Sequence, residues 1–117
     1  MSTYLINHLR IPADVPNEDG LSYLEQVEAT VEPFGGKWLA QGAPDEVLEG
    51  AWPGSVVLME FPDREAADSW YHSGAYQRIV HLRVGSSIAD LIFIDSLPEG
   101  FTVAGFAGQV RAAIAAS

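Results

Sequence analysis

The chain has 117 residues, of which 48% are hydrophobic and 19% are charged, a composition typical of one folded domain and not of a disordered segment. With 16 acidic and 6 basic side chains it carries a formal net charge of −10, which disfavours nucleic acid and anionic membrane surfaces as partners. It has no cysteine, so disulfides, thiolate nucleophiles and sulfur-ligated metal sites are excluded. The sequence shows neither a signal peptide nor an apolar run long enough to span a membrane, and we expect a cytoplasmic protein.

The first third of the chain predicts a strand followed by a helix. Aliphatic and aromatic residues from Thr3 to Ile11 indicate a strand that stops at Pro12. The stretch 13–20 combines a turn with a helix start, because Asn17 can act as the N-cap and is followed by two acidic residues. Apolar residues then recur at spacings of three and four, as one buried helical stripe requires: Leu24, Val27, Val31 and Phe34. A proline and the pair Gly35-Gly36 end this helix.

The later strands and helices are predicted from the same signals: apolar runs, N-cap residues, and prolines or glycines that end an element. The segment 43–54, rich in proline, glycine and acidic residues, is expected to be a long connection between strands. The apolar run before Phe61 indicates a strand covered on both faces, and Asp63 can cap the helix after it. The predicted elements are strands at 37–41, 55–61 and 88–94, and helices at 64–72 and 75–83.

The resulting order, β-α-β-β-α-β, predicts an α+β domain of ferredoxin-like topology, with an antiparallel four-stranded sheet covered by helices on one face. We assign this domain to residues 1–97. The other face of the sheet must be covered by a second copy or by the C-terminal segment. Residues 98–117 are predicted to form a helical extension that packs on the domain or on the dimer partner. Its apolar positions recur at helical spacing: Val103, Phe106, Ala107, Val110 and Ile114.

Five short motifs in fixed order resemble one known family. They are Phe34-Gly35-Gly36-Lys37-Trp38-Leu39, Val47-Leu48-Glu49-Gly50 with Trp52-Pro53, Val57-Leu58-Met59-Glu60-Phe61-Pro62, Trp70-Tyr71-His72-Ser73, and Tyr76-Gln77. The family is domain of unknown function 1330. The resemblance implies a dimeric α+β barrel, in which two ferredoxin-like subunits pack sheet to sheet and each keeps a small cleft between its helices and its sheet. It implies no particular reaction.

The chain departs from the pattern of that family at two places. Gly74 and Ala75 stand where members commonly carry a proline and an acidic residue, which would make this corner more flexible. The tail after Pro98 is additional to the usual domain. Both departures affect the expected shape of the cleft and the expected dimer contacts.

Glu60 is the first candidate for a catalytic group. It ends an otherwise apolar strand, where partial desolvation would raise the pKa of its carboxyl and suit it to act as a general base. The alternative is a structural role, in which Glu60 pairs with Arg83 or Arg78 or reaches water at the strand end. In the catalytic interpretation, Arg83 or Tyr76 would hold an oxyanion.

His8 is a second candidate acid or base, since it shares one face of the first strand with Tyr4 and Ile6 and would enter the cleft there. A partly exposed histidine without a catalytic role is the alternative. The three histidines show no spacing typical of metal ligands, and no glycine-rich phosphate loop or dinucleotide motif occurs. We therefore predict no metal and no cofactor.

A large aromatic set could line a cleft for a flat organic ligand: Trp38, Trp52, Trp70, Tyr71 and Tyr76. The same residues would equally suit a core or a dimer interface. The family pattern adds Glu49 and Ser73 as polar groups at the rim, although Ser73 is also explained as a helix-end residue.

Two functions remain open from the sequence. One is a cofactor-free enzyme, an isomerase, cyclase or monooxygenase-like protein acting on a small aromatic or carbonyl-bearing metabolite. The other is a homodimeric binding or accessory domain that holds a small ligand without changing it. Haem binding, a third possibility, has no sequence support beyond an isolated histidine.

Overall fold

The computed structural model describes residues 1–12 and 15–117. Part of the turn predicted at 13–20 therefore lies outside the described residues. The elements, in chain order, are β1 (Thr3–Arg10), α1 (Glu18–Val31), a 3-10 helix (Glu32–Phe34), β2 (Lys37–Gly42), β3 (Ser55–Phe61), α2 (Arg64–Tyr71), α3 (Gly74–Gln77), α4 (Val80–Val84), β4 (Ile88–Asp95) and α5 (Val103–Ala116).

The four strands form one antiparallel sheet in the order β2-β3-β1-β4. In this sheet Leu5 pairs with Met59 on one side and Phe93 on the other, and all three side chains belong to the helix-facing layer. Since strand side chains alternate, Tyr4 and its partner Glu60 point to the opposite side. The order and direction of the strands confirm the predicted ferredoxin-like α+β fold.

The hydrophobic core lies between the helices and one face of the sheet, which we call the helix face. Its buried members are Leu5, Val27, Val31, Met59, Phe61, Ala67, Trp70, Tyr76 and Ile79. Trp70 is almost fully buried, with its ring centroid 5.4 Å from that of Phe61. Its indole Nε1 donates to Thr30 Oγ1 at 3.0 Å, so the one polar atom of this large core residue is satisfied.

The ends of the first two long helices are as predicted. Asn17 Oδ1 accepts a hydrogen bond from the backbone N–H of Gly20 at 2.9 Å, and Asp63 Oδ1 accepts one from Ala66 at 2.8 Å, which are N-cap contacts. Gly35 then takes a left-handed conformation with φ of 73°, a geometry that favours glycine. A Cβ at Gly36 would lie 2.4 Å from Val31 Cγ1, so only glycine lets β2 start this close to the core.

The helical segment predicted at 75–83 is two short helices, α3 and α4, instead of one. The break is at Ile79, whose backbone has φ of −112° and ψ of −11° and whose side chain is buried in the core. Ser73 makes the corner before α3: its Oγ donates to the carbonyl of Trp70 at 2.7 Å and accepts from the N–H of Tyr76 at 3.2 Å. The turn at α4 places Arg83 next to Tyr23 of α1.

The second face of the sheet, which we call the open face, is apolar and uncovered. Ile88, Ile92 and Ile94 are 63%, 54% and 51% exposed. Part of the connection 43–54 lies over one end of this face, where the ring centroids of Trp52 and His8 are 4.5 Å apart.

The C-terminal helix α5 extends away from the domain. Every residue from Leu97 to Ser117 is exposed, and the molecule measures 54 × 34 × 26 Å with a radius of gyration of 17.3 Å, against about 13 Å for a compact chain of this length. No residue of this extension is buried in the single chain, and its packing on the domain or on the dimer partner stays a prediction. None of the helices in residues 1–12 and 15–117 combines the length and the apolar character needed to cross a membrane.

Candidate ligand-binding cleft

A cleft opens on the helix face, between α1, α4 and the sheet. Its cavity volume is about 60 Å³, and a more open groove of about 440 Å³ continues it outward along α1 and β2, sharing Leu24, Val27, Trp38 and Gln41 with it. Most of the wall is apolar and includes Leu5, Leu24, Val27, Trp38, Val57 and Leu91. The polar groups at the wall are Asn7, Tyr23, Gln41, Arg83, Ser86 and Ser87. A small organic ligand with a polar end fits such a site.

Arg83 is the one basic side chain among the described residues that line the cleft, and it is only 7% exposed. Its Nη2 donates to the hydroxyl of Tyr76 at 3.4 Å, and its Cζ lies 5.8 Å from the ring centroid of Tyr23. Its Nε is buried without a hydrogen-bond partner, and Arg83 forms no ion pair within residues 1–12 and 15–117. A buried guanidinium without a carboxylate is costly, so this arrangement is unusual for a purely structural arginine.

The hydroxyls of Tyr23 and Tyr76 are hydrogen-bonded at 2.9 Å beside Arg83. Burial raises the pKa of Tyr23 well above its ordinary value, and Tyr76 raises it further, whereas Arg83 opposes the rise. Tyr23 is thus a neutral hydrogen-bond donor and not a base at physiological pH. For Arg83, burial lowers the pKa, but the contacts with Tyr76 and Tyr23 outweigh it and the pKa is raised. Arg83 therefore stays cationic.

Asn7 places an amide in the centre of the sheet, on the helix face of β1. It lies between the apolar positions Leu5 and Leu9 and is 5% exposed. Its Oδ1 is buried and has no hydrogen-bond partner in the described part of the chain. An unsatisfied buried amide oxygen costs about 1–3 kcal/mol.

Ser86 and Ser87, which follow α4, hold the backbone at one side of the cleft through side-chain hydrogen bonds. Ser86 Oγ donates to the carbonyl of Leu82 at 2.6 Å, and Ser87 Oγ donates to that of Arg83 at 2.8 Å. A Cβ added to Gly20 would lie 3.4 Å from Ser86 Oγ, so α1 and the end of α4 approach each other closely here. These contacts hold the backbone that carries Arg83.

The comparison with family models identifies the chain. The model described as Domain of unknown function (DUF1330) matches residues 2–97. The chain belongs to this family. The family predicted from the five motifs is thereby confirmed, and α5 lies outside the matched region. No curated protein matches the chain.

Solved structures similar to this DUF1330 chain share its fold. RPA0582 from Rhodopseudomonas palustris, a protein of unknown function, is 20% identical, with 83% of each chain covered and a TM-score of 0.64. A dimeric ferredoxin-like protein of unknown function from Jannaschia sp. CCS1 is 15% identical over 82% of this chain and 100% of that one, with a TM-score of 0.57. SnoaB from Streptomyces nogalater, a cofactor-independent oxygenase, is 10% identical over 86% and 98%, with a TM-score of 0.57. At these identities the likeness shows the fold alone.

The structure brings three of the predicted site residues to the cleft of this DUF1330 domain and holds a fourth behind it. Trp38, Trp70 and Arg83 line the cleft, although Trp70 is chiefly a core residue. Tyr76 is fully buried behind the wall and positions both Tyr23 and Arg83.

Glu60 and His8 do not reach the cleft, because both lie on the open face of the sheet. The carboxylate of Glu60 is 3.5 Å from Lys37 Nζ, so its ion-pair partner is neither Arg83 nor Arg78. For His8, both ring nitrogens are occupied: Arg10 donates to Nδ1 at 3.2 Å, and Nε2 contacts the carbonyl of Pro53 at 2.6 Å. Both nitrogens are therefore engaged on the open face, and neither is free to act as a base at the cleft.

The remaining predicted ligand-binding residues also lie apart from the cleft. Glu49 and Trp52 belong to the connection between β2 and β3 and are exposed. Tyr71 borders a second depression of about 210 Å³ with Leu91 and Phe93. Ser73 makes the corner at the start of α3.

Sequence reasoning missed Asn7, Tyr23, Gln41, Ser86 and Ser87. A signal existed for Asn7, because an amide flanked at i−2 and i+2 by leucines interrupts the apolar face of a strand. No such signal existed for Tyr23, which occupies the edge of an apolar helical stripe. Among the described residues, no three histidine or acidic side chains are grouped to hold a metal ion.

Proposed function

We propose that the protein binds a small organic ligand in the helix-face cleft. The apolar body of the ligand would lie against Trp38 and the aliphatic wall, and its polar group would face Asn7 and Arg83. One observation carries this proposal: Asn7 and Arg83 are more than nine-tenths buried, each has an unsatisfied atom, and both side chains line a mostly apolar cleft. Stable folds rarely keep such groups without a partner.

A pair of matched tryptophan variants tests the proposal. Small aromatic and carbonyl-bearing compounds would be screened by ligand-observed NMR against the unmodified protein, Trp38→Leu and Trp52→Leu. We expect Trp38→Leu to lose the ligands and Trp52→Leu, on the other face of the sheet, to keep them. Ligands that bind Trp38→Leu as well as the unmodified protein would contradict binding in this cleft.

A cofactor-free enzyme acting at the same cleft is the second candidate. SnoaB, which shares the fold, is a cofactor-independent oxygenase, and the cleft holds neutral and cationic donors that could stabilise a developing oxyanion. Such donors in a dry site are a large source of rate enhancement. In this second proposal, Tyr23 and Arg83 donate hydrogen bonds to a substrate carbonyl, and Glu60 and His8 take no part in the reaction. Tyr23→Phe should then lower turnover of an identified substrate without added cofactor by about tenfold or more, while leaving the fold unchanged.

We also propose that a second copy of the chain covers the open face. The exposed isoleucines of β4 form an apolar surface that a monomer would leave in water, and the similar protein from Jannaschia is described as dimeric. Light scattering or native mass spectrometry would test the dimer, and a monomer at micromolar concentration would contradict it. A cytoplasmic location remains a prediction.

The same second copy is the proposed partner of α5. An isolated helix of 14 residues is marginally stable in water, and α5 follows β4, the edge strand that borders the open face. Its apolar side chains, Val103, Phe106, Val110 and Ile114, are all exposed in the single chain. Hydrogen exchange should show protected α5 amides in the dimer and unprotected ones in a monomeric variant. Equal protection in both would contradict packing on the partner.

A further inference from the structure

We infer that the ligand of the cleft is an anion, a small and largely apolar molecule with one carboxylate or an equivalent delocalised negative charge that pairs with Arg83. This inference rests on the proposed function, since it names the class of compound that the cleft takes. It adds a selectivity, for negative over neutral and positive ligands, that an apolar cleft alone would not have.

The basic residues of the chain provide the first argument. Arg10, Lys37 and Arg64 each form an ion pair with an acidic side chain at the surface. Arg78 and Arg111 form none within the described residues, but both are exposed and water can solvate their charge. Arg83, which is far more buried than any of them, has no such pair within the described residues. Among the described residues of this strongly acidic chain, the most buried basic side chain thus has no acidic partner. A ligand that brings the anion would complete the arrangement.

The neighbouring tyrosines do not replace that anion. Tyr23 is neutral, because burial and Tyr76 raise its pKa. Its ring lies 5.8 Å from Arg83 Cζ and gives at most a partial cation-π contact. The hydrogen bond from Arg83 to Tyr76 is long, at 3.4 Å, and Nε of Arg83 has no partner. The guanidinium therefore keeps hydrogen-bonding capacity for a ligand.

The rest of the cleft wall favours an anion over other charged ligands. No aspartate or glutamate is among the described residues that line the inner cavity around Arg83, whereas Glu28 lines the outer groove. The charged end of a cationic ligand would therefore meet Arg83 without a counter-charge in the inner cavity and would be disfavoured there. Guanidinium and carboxylate are both planar and can form two parallel hydrogen bonds. Asn7 supplies a further amide for a second oxygen or a neighbouring hydroxyl. Trp38 and the leucines accept a flat apolar body.

The test compares pairs of ligands that share shape and differ in charge. Benzoate and benzamide, and a short aliphatic carboxylate with its amide, would be titrated while the NMR signal of the Trp38 indole N–H is followed. We expect each carboxylate to bind at least about tenfold more tightly than its amide, because hydrogen bonds to a charged partner are the stronger ones. Benzylamine, the cationic analogue, should not bind.

Three arginine variants complete the experiment. Arg83→Met should abolish the preference for carboxylate, Arg83→Lys should retain part of it, and Arg111→Met, which removes the same charge from exposed α5, should leave it unchanged. Circular dichroism checks that each variant is folded, and Arg83→Lys keeps the test valid if Arg83→Met does not fold.

The outcomes separate the inference from the proposed function. If carboxylates and amides bind equally and both need Trp38, the cleft binds ligands but the anion inference is wrong. If the carboxylate preference survives in both Arg83 variants, Arg83 is not the anion partner and the inference is again wrong. If none of the probes affects Trp38 and compounds from the wider screen bind elsewhere, both the inference and the proposed function fail.

Discussion

The two faces of the sheet differ in how their side chains are satisfied. On the helix face, aromatic and aliphatic side chains pack into a core, yet Asn7 and Arg83 are left with unsatisfied buried atoms. On the open face the polar groups are paired, His8 with Arg10 and Glu60 with Lys37, while the apolar groups are exposed. On the helix face, two buried polar atoms therefore lack a hydrogen-bond partner. On the open face, exposed apolar side chains lack a surface to pack against. The comparison suggests a small ligand for the first face and a second subunit for the second.

The largest expected effect comes from the core of the helix face. Trp70→Ala would remove the largest of the fully buried side chains described, together with its hydrogen bond to Thr30, and it should lower the free energy of unfolding by about 3–5 kcal/mol. Trp52→Ala is the matched change on the other side of the sheet, at a side chain 42% exposed, and should cost less than about 1 kcal/mol. Urea unfolding measures both. Similar losses for the two tryptophans would contradict the described division of core and surface.

The next prediction concerns the open face. Ile92→Glu places a charge in the middle of the apolar surface, where desolvation on association would be costly. We expect the proposed dimer to dissociate into monomers that keep their secondary structure, as followed by light scattering and circular dichroism. Leu48→Glu, at a side chain 84% exposed in the connection 43–54, is the control for added charge and should leave the dimer intact. A dimer that survives Ile92→Glu would place the interface elsewhere.

A smaller effect of opposite sign is expected in the cleft. Asn7→Leu replaces an amide with an unsatisfied oxygen by a bulkier apolar side chain that has the same number and branching of heavy atoms. The ligand-free protein should become more stable by about 1 kcal/mol, while ligands of the cleft bind more weakly. Thermal unfolding with and without ligand measures both quantities. Lower stability in the absence of ligand would mean that Asn7 is satisfied structurally and is not held for a partner.

The sequence predicted the fold well and the site only in part, for a physical reason. Strands and helices can be predicted because apolar residues recur about every second residue in a strand and every three to four residues in a helix. Leu5 in β1, and Val27 and Val31 in α1, follow these spacings. The site instead depends on which face of a strand meets the helices. His8 and Asn7 are neighbours in the sequence, but strand alternation places only Asn7 at the cleft. The different positions of His8 and Asn7 depend on the register of β1 and on which side of the sheet the helices cover. A local sequence pattern contains neither piece of information.

Glu60 provides the smallest expected effect and the sharpest distinction between the two faces. Glu60→Gln removes an ion pair with Lys37, whose side chain is 69% exposed. Exposed ion pairs of this kind contribute less than about 1 kcal/mol to the free energy of unfolding. Because Glu60 lies on the opposite side of the sheet from the cleft, ligand affinity and any turnover in the cleft should stay unchanged. Isothermal titration of Glu60→Gln beside Arg83→Met measures this contrast. A loss of activity in a folded, dimeric Glu60→Gln protein would move the reactive site to the open face and to the interface between the two copies.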